Sequence, residues 1–165
     1  MTLGLTYPGG HAVFLAVAIA THAVIGYTLG ARLFDAPKAG LVGGLLADAD
    51  FLFPAAFDFP LVHRGLTHTG LALAVTATLT WIVADRRAGG ATAIGYASHL
   101  AVDATTPTGI PVLYPVSDAF HGVVLSGHSP TATAILWSCC LSVLWADRIA
   151  ERLTAIGDVF GSSSG

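Results

Sequence analysis

Residues 11–34 read HAVFLAVAIATHAVIGYTLGARLF, a stretch in which only Arg32 carries a full charge. A run of this length exceeds the ~20 residues that a helix needs to cross a bilayer. A backbone inside hydrocarbon must also satisfy its own hydrogen bonds, so helix is the default state of such a run. Further apolar runs lie at about 69–84, 91–110 and 131–147, and a shorter one at about 40–53 ends in FLFP, where Pro54 stops helix growth. Charged residues make up 10% of the chain, against roughly 25% in an ordinary soluble domain. Seven basic and ten acidic side chains do not cover a soluble globule of 165 residues. The expected fold is therefore an all-α polytopic membrane bundle of about 4–5 membrane segments, one of them short or re-entrant. Residues 1–160 form one domain in this reading, and GSSSG, 161–165, is a flexible tail.

The few basic residues also bound function and orientation. No lysine or arginine cluster is present to hold a nucleic-acid backbone, which leaves membrane lipids as the expected surroundings. The N-terminus lacks the basic segment and small-residue cleavage site of a removed signal peptide, so the first run reads as a retained span. Cys139 and Cys140 are neighbours in an apolar run and read as packed or lipid-facing thiols. Arg32 and Lys38, Arg86 and Arg87, and Arg148 and Arg152 follow successive runs, while Arg64 stands almost alone on the other side. The positive-inside tendency then puts the N-terminus outside and the C-terminus in the cytoplasm.

Against this apolar background the ionisable residues concentrate. Strongly polar side chains in a membrane helix cost roughly 2.5 to 3.5 kcal/mol each on insertion scales and so face inward toward partners. His99 and Asp103 stand four apart, about one helical turn, on one helical face. Asp48 and Asp50 stand two apart, about 160° around a continuous helix, and serve one site only if the helix frays ahead of Pro54. His63 and His68 in HRGLTH are five apart, which favours a loop or a helix start, with Thr67 or Thr69 as a cap for the run from about 70. His22 lies in the middle of the first run beside Gly26 and Gly30, a small-residue stripe suited to close helix approach. Each has a plainer alternative: a packed imidazole for His22, a turn-to-turn hydrogen bond for His99 with Asp103, a helix cap for the aspartates, a wet loop for His63 and His68. His121 and His128 read as solvated loop residues. Taken together, imidazoles and carboxylates brought to one depth in low dielectric call for a divalent cation. Mixed His/Asp donors without thiolate suit zinc first, with manganese or iron as alternatives.

THAVIGYTLG, GLLADADFLFP, HRGLTHTGLALAV and GYASHLAVDATTPTGIPVLYPVS together resemble the YdjM-like inner-membrane family of metal-dependent hydrolases, whose founding member is LexA-regulated. The resemblance covers about residues 20–117 and carries no motif past YPVS. It implies a small multi-span protein with a metal site on His22, Asp48, Asp50, His63, His68, His99 and Asp103. A hydrolytic reading gives Asp48 or Asp50 the role of base and Arg64 that of holding an anionic oxygen of a lipid-linked or phosphoester substrate. The rivals are an ion or proton transport element and a non-catalytic membrane protein with a structural metal.

Overall fold

The computed structural model describes residues 7, 10–54, 56–125 and 127–161, with side chains beyond Ala146 described only at Ala150. Of the expected tail, 162–165 lie outside the described residues, as do the side chains of Arg148 and Arg152. Five α-helices follow in order: α1 (Gly10–Phe34), α2 (Pro37–Leu46), α3 (Gly70–Val83), α4 (Arg86–Ala104) and α5 (Pro130–Gly161). Two 3-10 turns, Ala47–Leu52 and Leu66–His68, sit between α2 and α3. No strand occurs among the described residues beyond a single antiparallel bridge between Ile110 and His121.

The expectation of an all-helical chain holds among the described residues, and one of the expected spans meets the length and apolarity of a crossing helix. Among the described residues α1 alone is long and apolar enough to cross a bilayer, while Gly70–Val83 and Pro130–Ala146 are shorter apolar helices. The run expected at 91–110 is instead a helix from Arg86 to Ala104, because Asp85 caps its start through a 2.8 Å bond from Ala88 N and TTPTG ends it. At that end Thr106 donates to the Asp103 carbonyl at 2.7 Å, and Gly109 turns the chain at φ +65°.

Pro37 starts α2 at a position where a missing N–H costs nothing. The helix then lies between α1 and α4 at backbone contact. A Cβ on Gly40 would sit 2.3 Å from the Gly26 carbonyl oxygen, and one on Gly95 would sit 2.2 Å from that of Gly40. This approach, open only to glycine, aligns the middle of three helices and sets the depth at which their polar side chains meet. Threonines on α1 and α3 return their hydroxyls to the preceding turn, as Thr21 does to Val17 O at 2.7 Å and Thr76 to Ala72 O at 2.7 Å, so they add no unpaired polar atoms to an apolar surface. α5 docks on α1 through Trp137 Nε1, which donates to Thr21 Oγ1 at 3.0 Å, and Arg32 donates to the Val143 carbonyl. α3 buries none of its side chains and presents Leu71, Val75, Leu79 and Ile82 outward.

Candidate metal centre

The polar side chains meet where α1, α2 and α4 touch. His22 and His99 stack with ring centroids 3.6 Å apart, a contact set by the glycine approach of α2 to both helices. His99 Nδ1 donates to Gly44 O at 2.8 Å, which leaves Nε2 as the acceptor nitrogen pointing inward. That nitrogen lies 3.3 Å from His68 Nε2, 3.6 Å from Asp48 Oδ1 and 3.7 Å from Asp103 Oδ2.

α2 gives way to the 3-10 turn just where the aspartates stand, so Asp48 and Asp50 do not diverge as they would on a continuous helix. Asp48 faces His99. Asp50 turns to the HRGLTH loop, where Oδ1 accepts from His63 Nδ1 at 3.0 Å and Oδ2 accepts from Arg64 N at 3.0 Å and Thr67 Oγ1 at 2.8 Å. His68 Nδ1 lies 3.2 Å from the same Oδ2. One buried carboxylate thus holds two imidazoles by their Nδ1 atoms and aims both Nε2 atoms away from itself. Burial raises the pKa of Asp50, but the bonds from His63, His68 and Thr67 outweigh it and hold the carboxyl well below the usual range. Thr69, not Thr67, caps α3, accepting from Ala72 N at 3.0 Å.

Arg64 adopts φ +62°, a left-handed conformation that costs a side-chain-bearing residue on the order of 1–3 kcal/mol. The turn presents its amide to Asp50 and sends its guanidinium across to α4, 2.5 Å from Thr106 Oγ1 and 3.3 Å from Asp103 Oδ2. Asp103 is a second hub. It lies in the last turn of α4, where the helix dipole disfavours a carboxylate, and its neighbours supply the opposing charge. Oδ1 accepts from His128 Nε2 at 2.8 Å and lies 3.5 Å from His22 Nε2, while Oδ2 lies 3.3 Å from His68 Nε2. Burial opposes charge on His68, yet the bonds to Asp103 and Asp50 raise its pKa, so the space between these carboxylates draws positive charge, as a proton or as a cation.

Every residue that the sequence singles out for the site is brought together here: His22, Asp48, Asp50, His63, Arg64, His68, His99 and Asp103 surround one small region. Five of them, His22, Asp48, His63, Arg64 and Asp103, border a cavity of about 40 Å³ whose other wall is apolar, from Phe14, Leu15, Ala18 and Ile19 of α1. His128 corrects the sequence reading. It is not solvated but 8% exposed, hydrogen-bonded to Asp103 and set edge-on to His22. Its position 25 residues from Asp103, in a Gly/Ser/Pro-bearing connection, carries no spacing signal; a histidine just ahead of a helix-starting proline is the only hint. His121 behaves as expected, exposed, with its backbone paired to Ile110.

The donor set fits a cation. Among the described residues, His22 and His128 bury their Nδ1 atoms without a partner, and His68 and His99 turn their Nε2 atoms on one another at 3.3 Å. Two groups have ligand atoms within 4.8 Å of each other: His22, His99 and Asp103, and Asp48, His63 and His68. Their chemistry, imidazole and carboxylate without thiolate, suits zinc or another borderline divalent metal.

An all-helical chain with one membrane-length helix and a buried histidine–carboxylate centre defines a helical membrane protein with a potential metal site. The chain belongs to the YdjM inner membrane protein family, whose model matches residues 10–159. The match extends beyond the motifs that end at YPVS and takes in His121 and His128. No curated protein and no solved structure matches the chain.

Proposed function

We propose that this protein is a membrane-bound, metal-dependent hydrolase acting on a lipid-linked phosphoester. The observation that carries the reading is the 3.3 Å approach of His68 Nε2 to His99 Nε2, with the Nδ1 of one held near Asp50 and that of the other by Gly44 O. Two imidazole nitrogens turned on each other beside two carboxylates call for positive charge between them. His22, Asp48, His63, His68, His99 and Asp103 would hold a divalent cation, with zinc favoured and manganese or iron as alternatives. Bound there, the cation would polarise a phosphoryl oxygen and lower the pKa of a water.

The chain's own residues do the rest. Asp50 is a positioning residue, since its oxygens are occupied by the loop that carries His63 and His68. Asp48 borders the cavity and is the carboxylate placed to accept a proton from attacking water. Arg64 spends part of its fork on Asp103 and Thr106, and its remaining N–H donors reach the same cavity, where they hold an anionic phosphoryl oxygen. The cavity has room for about two waters, more than a closed structural site needs.

A lipid-linked substrate is supported by the apolar wall of Phe14, Leu15, Ala18 and Ile19 that lines the cavity opposite the polar residues. The outward apolar face of α3, and the apolar segment Pro130–Ala146, support further membrane segments beside α1, with the N-terminus outside and the C-terminus inside. Ion transport is disfavoured, because between the centre and Arg32 on α1 or Arg87 on α4 the only ionisable side chains are tyrosines.

The test is release of inorganic phosphate from a polyprenyl monophosphate or a phosphatidic acid by the full chain in detergent. Chelation is expected to lower the rate by at least ~100-fold and a divalent metal to restore it. No release with zinc, manganese or iron present would refute the reaction.

A further inference from the structure

We propose that the centre holds two cations, one on His22, His99 and Asp103 and the other on Asp48, His63 and His68. This rests on the metal reading above and extends it. Six inward-facing donors exceed what one hydrolytic zinc takes, since such a site uses three protein ligands and keeps a position open. The six donors form two adjoining groups of three. In each group the ligand atoms lie within 4.8 Å of one another, and the groups touch through His68 Nε2 to Asp103 Oδ2 at 3.3 Å and His99 Nε2 to Asp48 Oδ1 at 3.6 Å.

Asp103 is placed to bridge. Its Oδ1 faces His22 of its own group, while its Oδ2 lies 3.3 Å from His68 of the other and 3.7 Å from His99 of its own, so the carboxylate would reach both cations. Both groups are oriented from behind: Gly44 O holds His99 by Nδ1, and Asp50 accepts from His63 Nδ1 and lies beside that of His68. Such support from the far nitrogen is what metal-binding imidazoles ordinarily have.

Charge then indicates the substrate class. Asp48, Asp50 and Asp103 against Arg64 leave two negative charges, which one divalent cation neutralises. A second cation leaves a surplus of two positive charges, the complement of a phosphomonoester dianion rather than of a diester monoanion.

Metal content and manganese electron paramagnetic resonance of the purified full chain test this. The chain is expected to retain about two metals, and with manganese to give the exchange-coupled signal of a close pair. His63→Ala, at a half-exposed side chain outside the helix contacts, is expected to fold, to keep about one metal, and to lose the coupling. His22→Ala is expected to do the same from the other side. One metal per chain in the unaltered protein, with an uncoupled manganese signal, overturns the second cation and leaves the mononuclear hydrolase standing. No metal at all sinks both. Two metals unaffected by either variant place them elsewhere and overturn the assignment.

Discussion

The protein carries charge at two places that behave oppositely. At the centre, Asp50, His68, His99 and Asp103 are all but fully buried, and the carboxylates of Asp50 and Asp103 are each met by several donors. At the far end of α1, Arg32, Asp35, Arg86 and Arg87 border an open pocket, and Arg87 meets Asp35 only at 3.8 Å, with side chains 71% and 91% exposed. The difference separates two uses of charge in an apolar chain. Exposed arginines at helix ends fix orientation by their sign alone and need no exact partner. Buried imidazoles and carboxylates are costly unless each is met by donors, acceptors or a cation, so their positions must be specified closely. Substitutions at the two ends should therefore differ in kind as well as size.

The largest expected effect comes from Asp50→Asn. An asparagine keeps the shape but turns an NH2 toward donors that now meet a carboxylate oxygen: Arg64 N and Thr67 Oγ1, or His63 Nδ1 if the amide is reversed. The two imidazoles lose the partner that aims them. Metal affinity is expected to fall about 10–100-fold, the usual cost of removing a support behind a ligand, measured by competition with a chromophoric chelator. An affinity unchanged within twofold would show that the centre does not depend on its orienting carboxylate and would blur the contrast drawn above.

Gly40→Ala comes next. The new Cβ would meet the Gly26 carbonyl oxygen at 2.3 Å and Gly30 Cα at 2.8 Å, both backbone, so α1 and α2 must separate. Overpacking of this kind costs about 1–3 kcal/mol. The expected outcome is a lower Tm in detergent together with weaker metal binding, because Gly44 and His22 ride on the same contact. A loss of stability with metal affinity intact would separate the helix contact from the alignment of the site.

How much of this was legible beforehand follows the same division. The apolar run of α1, the GxxxG stripe and the His99–Asp103 turn are local patterns, and the structure keeps them. The aspartate pair was readable only conditionally, because a two-residue spacing means one thing on an α-helix and another on the 3-10 turn that forms ahead of Pro54. Arg64 at φ +62° and the doubled hold of Asp50 on His63 and His68 arise from loop geometry that no periodicity encodes. His128 was misread because its only partner of consequence, Asp103, is brought to it by the return of the 105–129 connection over the end of α4. Span number does not follow from the same patterns: apolar runs become helices, and among the described residues length and composition qualify only α1 to cross alone.

Arg87→Gln is the smallest expected effect and the sharpest test of the contrast. The 3.8 Å pair with Asp35 is exposed on both sides, and exposed pairs contribute at most a few tenths of a kcal/mol to 1 kcal/mol. Tm and metal affinity are both expected to stay within error of the unaltered chain. The change would instead register in topology: in the proposed orientation, one fewer positive charge after α3 weakens the positive-inside bias of this loop, and Arg86 remains to hold most of it. Cysteine labelling from either side of the membrane reads that bias directly, at a cysteine placed beside residue 87 in the variant and in the unaltered background. A metal affinity that fell with this substitution would mean that the two ends are coupled through α4, and that the basic end serves the centre as well as the membrane.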